Sequence, residues 1–358
     1  MILESTFTKE WILSVKTQKS YRKINPEILE KMIYAFYLLE ALQKEKLDFI
    51  FKGGTCLALL FDKPKRFSVD IDILTQQEKN NIEKILDSII VNFNFKRYEL
   101  DERRSYKEEG IPKAHYELFY DSQIINEESS IMLDILFDEN FYPVTVKSKI
   151  KSSFLETDNE PTIVIIPNIN NMTGDKLTAF APNTSGYIYG KRMELQIIKQ
   201  LFDLGFLIDE IDNFEEIFET YVSKKARLDF HFNNIWGDNE ILDDIINTSL
   251  LLSKRGKNLA ADEVTKYEEL NTGIKRLETF LIKRPFYIDL AIESAAKVAL
   301  CAAKIKSKDL KPIEKFEKGM ELKSFLIKDK NYLFLNDLLR NGTLALFYFH
   351  QMVKVLNG

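Results

Sequence analysis

The sequence is expected to give an α+β chain in two lobes, a mixed sheet with helices over residues 1–168 and a helical lobe over residues 169–358. Short runs with the two-residue alternation of half-buried strands cluster in the first half. The second half is filled by long segments with three- and four-residue apolar spacing and almost no strand signal. The composition changes at "PNINN", residues 167–171, which marks the boundary.

Residues 1–24 mix aromatic and basic side chains without a clear period and read as an extension packed on the main fold. From Pro26, apolar residues recur at Ile28, Met32, Ile33, Phe36, Leu39 and Leu42, the pattern of an amphipathic helix with proline in its first turn. "DFIFKGG" is a short strand closed by two glycines, and "TCLALLF" reads as a helix starting directly after them. In "FSVDIDIL", Val69, Ile71 and Ile73 alternate against Ser68, Asp70 and Asp72, a strand with one buried face. "QEKNNIEKILDSIIVNF" is a further amphipathic helix, and "FNFKRYEL", "AHYELFYD", "SSIMLDILFD" and "TIVIIP" are further strands, separated by turns such as "KEEGIPK". Helices are expected over 171–181, 192–206, 209–224, 239–253, 275–303 and 332–356, with residues 254–276 the most loop-like part of this half.

A hydrophobic content of 45% suffices for a buried core and argues against disorder. The longest apolar stretches are interrupted by polar residues and fall short of the roughly 20 positions of a membrane span. The N-terminus lacks the layout of a secretory signal, so a cytoplasmic location is expected. Cys56 and Cys301 are distant from each other and without a nearby histidine, so neither a disulfide framework nor a zinc site is suggested and both read as core thiols. A net charge of -5 gives no bulk attraction to nucleic acid, so any such contact must use a local basic face. The lysine-rich segments "KSKIKSSF" and "KSKDLKPIEKFEKGMELKSF" offer such faces, although a solvated surface explains them as well. His115, His231 and His350 have no metal-ligand spacing and read as structural.

The chemistry concentrates between Phe51 and Leu74. Asp70 and Asp72 share one face of their strand, and like charges so close repel unless a divalent cation or a basic partner offsets them. Mg²⁺, or Mn²⁺ in its place, suits an oxygen site of one or two carboxylates completed by water and phosphate. Asp134, on the opposite face from Ile131, Leu133 and Ile135, adds a third carboxylate from a neighbouring strand. Three such groups match the arrangement in which two ions stabilise the attacking and leaving oxygens of a phosphoryl displacement. Gly53 and Gly54 let backbone approach a ligand closely and form a candidate phosphate seat, with the Thr55 hydroxyl, Lys52, Lys65 and Arg66 around it.

A glycine pair, two aspartates on the next strand and a lone aspartate on a later one are the motif order of the polymerase-β-like nucleotidyltransferase fold. "FIFKGGTCLALLFDKPKRFSVDIDIL" resembles the first motif of the AbiEii-type nucleotidyltransferase toxins, with Lys52, Gly53, Gly54, Thr55, Arg66, Ser68, Asp70 and Asp72 in register. "GDKLTAF" is similar to the family's second motif, with Lys176 as its lysine, and "IIKQLFDLGFL" to its third, with Lys199 and Asp203 matching. Two departures stand out: Gln200 occupies the third motif's first aspartate position, and "APNTSGYIYGKRMELQ" lengthens the gap between Lys176 and Asp203. The likeness is carried by 27–75 and 130–207 and fades beyond about 230, where the C-terminal third is a place for target specificity.

The resemblance implies a bilobed nucleotidyltransferase with its active site between the lobes. It moves a nucleoside monophosphate from an NTP to a hydroxyl, the tRNA acceptor end being the expected acceptor, and restrains growth or phage propagation. Asp70, Asp72 and Asp134 are the implied metal carboxylates, Asp134 also being the candidate general base. Lys176 holds the triphosphate; Asp203 binds metal, positions the nucleotide or orients Lys176. Lys199 and Asp203 alternatively form an exposed helical ion pair. A cognate antitoxin is implied as a partner that need not bind the chain directly. Two other readings remain: an inactive nucleotide-binding regulatory module, and a nucleotidyltransferase acting on a protein or small-molecule hydroxyl.

Overall fold

The computed structural model describes residues 1–18, 21–22, 24–61, 65–106, 110–282, 285–341 and 343–358. The chain divides into two compact units. One holds Met1–Asn168 with Phe280–Arg284, the other Ile169–Thr279 with Pro285–Gly358.

In the first unit, a 3₁₀ turn at Glu4–Phe7 leads into α1 (Lys9–Thr17), so the expected irregular extension contains a helix capped by the Thr8 side chain. Helix α2 (Pro26–Lys44) opens as the sequence indicates: proline sits in its first turn and the Asn25 side chain accepts from the Glu27 N–H. It is buried on most sides, and so are two of its acids, Glu30 and Glu40. Glu30 accepts from the Gln123 N–H at 2.7 Å and from the Ser122 hydroxyl, and Glu40 accepts from the Ile2 N–H and the Thr162 hydroxyl. Desolvation nevertheless raises the Glu30 pKa.

Then follow β1 (Ile50–Lys52), α3 (Gly53–Leu60), β2 (Ile71–Thr75), α4 (Lys79–Asn92), β3 (Arg97–Leu100), β4 (Lys113–Asp121), β5 (Glu128–Phe137), β6 (Thr145–Lys149) and β7 (Ile163–Pro167). Among the described residues, five strands form one mixed sheet in the order β1-β2-β5-β4-β3, with β2 and β5 parallel and the other pairs antiparallel. One face buries Ile71, Ile73, Leu133, Ile135, Ala114 and Tyr116. A separate antiparallel pair joins β6 to β7. The sequence reading missed β6, whose Lys147 and Lys149 masked it as a solvated lysine cluster; the pairing is made by backbone, which side-chain character does not report. Part of the turn expected at "KEEGIPK", residues 107–109, lies outside the described residues.

The second unit holds α5 (Ile169–Ala179), α6 (Glu194–Glu210), α7 (Phe214–His231), α8 (Glu240–Ser253), α9 (Ala261–Leu277), α10 (Ile288–Lys306) and α11 (Ala345–Asn357). Among its described residues there is no strand. Alanine-rich α10 is buried nearly throughout and packs on α6, α8 and α11. Small residues allow the close approaches: a side chain at Gly174 would meet the Ile217 carbonyl at 2.7 Å, and one at Gly205 would strike the Ser294 hydroxyl.

Three expectations are corrected here. Residues 261–277 form α9 instead of a loop. Leu270, Ile274 and Leu277 face the core, the Glu263 side chain accepts from the Ala260 N–H, and acids begin the helix while Lys275 and Arg276 end it. The polar "KRGKN" lead hid this stripe. The segment 275–303 is not one helix: α9 ends at Leu277 and α10 starts at Ile288, past Pro285, which cannot continue an interior helical turn. Residues 332–356 likewise divide into a 3₁₀ stretch, Lys330–Asn341, and α11. Among the described residues no helix is long and apolar enough to cross a membrane.

Candidate active site

Strand register builds the first cluster. Lys52 of β1 stands opposite Asp72 of β2, Asp72 opposite Asp134 of β5, and Asp134 opposite His115 of β4. Residues directly opposite one another project to the same face, so Lys52, Asp72, Asp134 and His115 form one row across four strands. Farther along β2 and β5 the same face is closed by Leu74 and Leu136 with Phe141 and Tyr142.

The glycine pair shapes this row. Gly53 has φ +76°, in the left-handed region, and a side chain there would meet Asp72 Cγ at 2.5 Å and Cβ at 2.7 Å. A side chain on Gly54 would meet Arg66 Nη2 at 2.5 Å and Ser68 Oγ at 2.8 Å. Thus the space left by each glycine is filled by a side chain of the same motif. The glycines are also the first residues of α3, which starts two residues earlier than expected. Buried Thr55 spends its hydroxyl on the Asp70 carbonyl at 2.6 Å, which ties α3 to the start of β2. Arg66 is buried, donates from Nη1 to the Phe67 carbonyl at 3.0 Å and makes a bridge to Leu281.

The electrostatics of the row are mixed. The adjacent carboxylates of Asp72 and Asp134 repel, while Lys52 and His115 flank them. Lys113 shares the face two residues before His115. Its pKa is lowered by desolvation and then by Lys52, while Asp134 and Asp72 act in the opposite direction. The residue as a whole is exposed, so the desolvation belongs to the crowded ammonium end. His115 Nδ1 lies 2.5 Å from Asp134 Oδ1, with the side chains 12% and 29% exposed. Sequence reasoning assigned His115 to structure and passed over Lys113. Neither carries a spacing signal, because only the β4–β5 register brings them to Asp134.

Among the described residues no three His, Cys, Asp or Glu side chains converge as a ready metal cluster. Asp72, half-buried in the row beside Asp134, does fit the one- or two-carboxylate set that Mg²⁺ takes when water and phosphate complete it. Asp70 stands just ahead of β2, half-buried.

A second cluster lies within the helical unit. Lys176 of α5 places Nζ 2.9 Å from Asp203 Oδ2 and donates to Gln200 Oε1 at 3.0 Å, both partners on α6. The Lys176 and Asp203 side chains are 6% and 1% exposed, which removes the reading of an exposed Lys199–Asp203 pair. Lys199 is half-buried on the same helix. Lys224 of α7 sits 3.6 Å from Asp175, giving α5 a second buried pair that sequence reasoning missed.

The profile of the family described as nucleotidyl transferase AbiEii toxin, type IV TA system, matches residues 37–321. The chain belongs to the AbiEii family. It is therefore a nucleotidyltransferase of the toxin–antitoxin class, and both clusters fall inside the matched span. No curated protein matches the chain. Two solved structures from Helicobacter pylori are similar to it. One, described as a "putative nucleotidyltransferase", is 17% identical with a TM-score of 0.43, covering 80% of this chain and 97% of that one. The other, JHP933, is 16% identical with a TM-score of 0.41, covering 80% and 94%. The Gln200 amide oxygen accepts from the Lys176 ammonium and brings no charge of its own to the pair.

Proposed function

We propose that this AbiEii-family chain transfers a nucleoside monophosphate from an NTP to a hydroxyl at the acceptor end of tRNA, with Mg²⁺ or Mn²⁺ as its metal, and so restrains growth or phage propagation. The observation that carries the reading is the side-by-side register of Asp72 and Asp134, with Gly53 cleared to seat Asp72. Asp72 and Asp70 are the carboxylates for metal, and bound metal would offset negative charge on the phosphates. The acceptor hydroxyl oxygen attacks the α-phosphorus, its proton passes to Asp134, and the bond to the departing pyrophosphate breaks. Lys52 and Arg66 supply positive charge beside the glycine turn, and Ser68 shares that corner. Gly54 gives Arg66 its place, and Thr55 fixes the backbone of Asp70. Lys176 is assigned to the triphosphate, with Asp203 and Gln200 orienting its ammonium and Lys199 as a supporting cation.

Residues 1–168 are read as the nucleotidyltransferase lobe and residues 169–358 as the helical lobe. The expected setting is cytoplasmic, beside a cognate antitoxin that need not form a complex with the toxin. Incubating the protein with each α-phosphate-labelled NTP, Mg²⁺ and total bacterial tRNA tests the reading. Label on tRNA supports it; label on protein or on small molecules alone, or no label, overturns the tRNA assignment.

A further inference from the structure

We infer that His115 is a positioning residue for the proton transfer, holding the Asp134 carboxylate so that one oxygen is tied down and the other is presented to the acceptor hydroxyl. The inference rests on the proposed reading of Asp134 as the base. Three observations carry it. His115 faces Asp134 directly in the β4–β5 register, and its Nδ1 is 2.5 Å from Oδ1. The Asp134 side chain remains 29% exposed while His115 is only 12% exposed. The imidazole is therefore the more enclosed and fixed of the two. Finally, the strand does not need this ring: the His115 N–H donates to the Ser105 hydroxyl at 2.9 Å, and its carbonyl accepts from the Asp101 N–H at 2.8 Å.

A carboxylate on a strand can rotate about its last torsion, and each rotation moves its basic lone pairs relative to the proton to be taken. An ionised carboxylate only accepts hydrogen bonds, so Nδ1 carries the proton in this contact, which fixes both the tautomer of His115 and the plane of Asp134. The proton from the acceptor hydroxyl then goes to Oδ2, the hydroxyl oxygen bonds to phosphorus and pyrophosphate leaves with the bonding pair. His115 gains and loses no proton in this step.

The test uses side chains that place a donor at different reach. His115→Asn keeps an N–H close to the Nδ1 position, His115→Gln moves it toward the Nε2 position, and His115→Ala removes it. Steady-state NMP transfer is measured for each, with thermal unfolding as a check on folding. His115→Asn is expected within about threefold of wild type, while the Ala and Gln variants lose about 10- to 100-fold in kcat with little change in KM for the NTP. Long-range ¹H–¹⁵N spectra of histidine-labelled wild type should show a protonated Nδ1 for His115, a signature lost in Asp134→Leu; this reading needs no activity.

Folded Ala and Gln variants with wild-type kcat overturn the inference alone. So does His115→Asn as impaired as His115→Ala, or a wild-type His115 without a proton on Nδ1. A wild-type chain that transfers no nucleotide, or an Asp134→Asn variant as active as wild type, overturns the reading of Asp134 as base, and the positioning role falls with it.

Discussion

The carboxylate of Asp72 occupies the space that a side chain on Gly53 would need, with Asp72 Cγ 2.5 Å from where that Cβ would lie. This contact explains why a glycine opens α3 at a backbone φ of +76°. Gly53→Ala is expected to cost about 1–2 kcal/mol from the left-handed backbone and to displace Asp72 as well. NMP transfer should therefore fall by more than the change in unfolding free energy would suggest. Activity measured beside chemical denaturation checks this; loss of both in proportion would make Gly53 a folding residue only.

Thr55 offers a milder probe of the same corner. Thr55→Val keeps the volume but leaves the Asp70 carbonyl without its 2.6 Å donor. A loss of about 1–3 kcal/mol is expected for a buried unmet acceptor, and Thr55→Ser, which restores a hydroxyl, should recover most of it. Thermal melts of the three proteins decide. Equal melting of Val and Ser variants would show that the hydroxyl contributes nothing.

Lys176 and Asp203 form a pair whose members are 6% and 1% exposed. Asp203→Leu alone leaves, among the described residues, a buried ammonium with the neutral Gln200 as its partner, and a loss of about 3–5 kcal/mol follows from an uncompensated buried charge. The double variant Lys176→Met with Asp203→Leu removes both charges and should be more stable than Asp203→Leu by at least about 1 kcal/mol. A double-mutant cycle by urea unfolding measures the coupling; strict additivity would contradict the pair. Gln200→Asp adds a second carboxylate and is expected to tighten the hold on Lys176.

Much of the first unit was legible because its signals are local. The alternation in "FSVDIDIL" and in "SSIMLDILFD" located β2 and β5, and proline marked the start of α2. The order of glycines and aspartates by itself points to the nucleotidyltransferase family. What was not legible depends on pairing. The row Lys52, Asp72, Asp134, His115 exists only through strand register, so His115 and Lys113 looked like unrelated polar residues of one strand. Strand β6 was hidden by its lysines, and the apolar stripe of α9 by the polar residues before it. Thr55 and the glycines are expected as ligand contacts; that Asp70, Asp72, Arg66 and Ser68 are their protein neighbours is reported by no spacing in the sequence.

Asp244 gives a pH-dependent test within the helical unit. It is buried on α8 and accepts from the Asn183 N–H at 2.8 Å, from the Asn183 amide and from the Thr184 and Thr248 hydroxyls, pinning the segment after α5. Desolvation outweighs these bonds and raises its pKa above 3.8. A raised folded pKa means that the native state holds the proton more tightly than the unfolded chain. The contribution is therefore full below the unfolded value and is lost as pH rises through the folded one. Wild type should lose this increment as pH climbs from about 4, while Asp244→Asn should show a flatter profile over the same range. Parallel slopes in urea unfolding at several pH values would contradict it.

The most direct measurement is NMP transfer by wild type and Asp72→Ala, each folded by the same thermal-melt criterion, with α-phosphate-labelled NTPs and tRNA in Mg²⁺ and again after chelation. Wild type should label tRNA with at least one NTP, lose this on chelation, and exceed Asp72→Ala by at least about a hundredfold. Undiminished labelling by Asp72→Ala would contradict the placement of the active centre on the Asp72–Asp134 row.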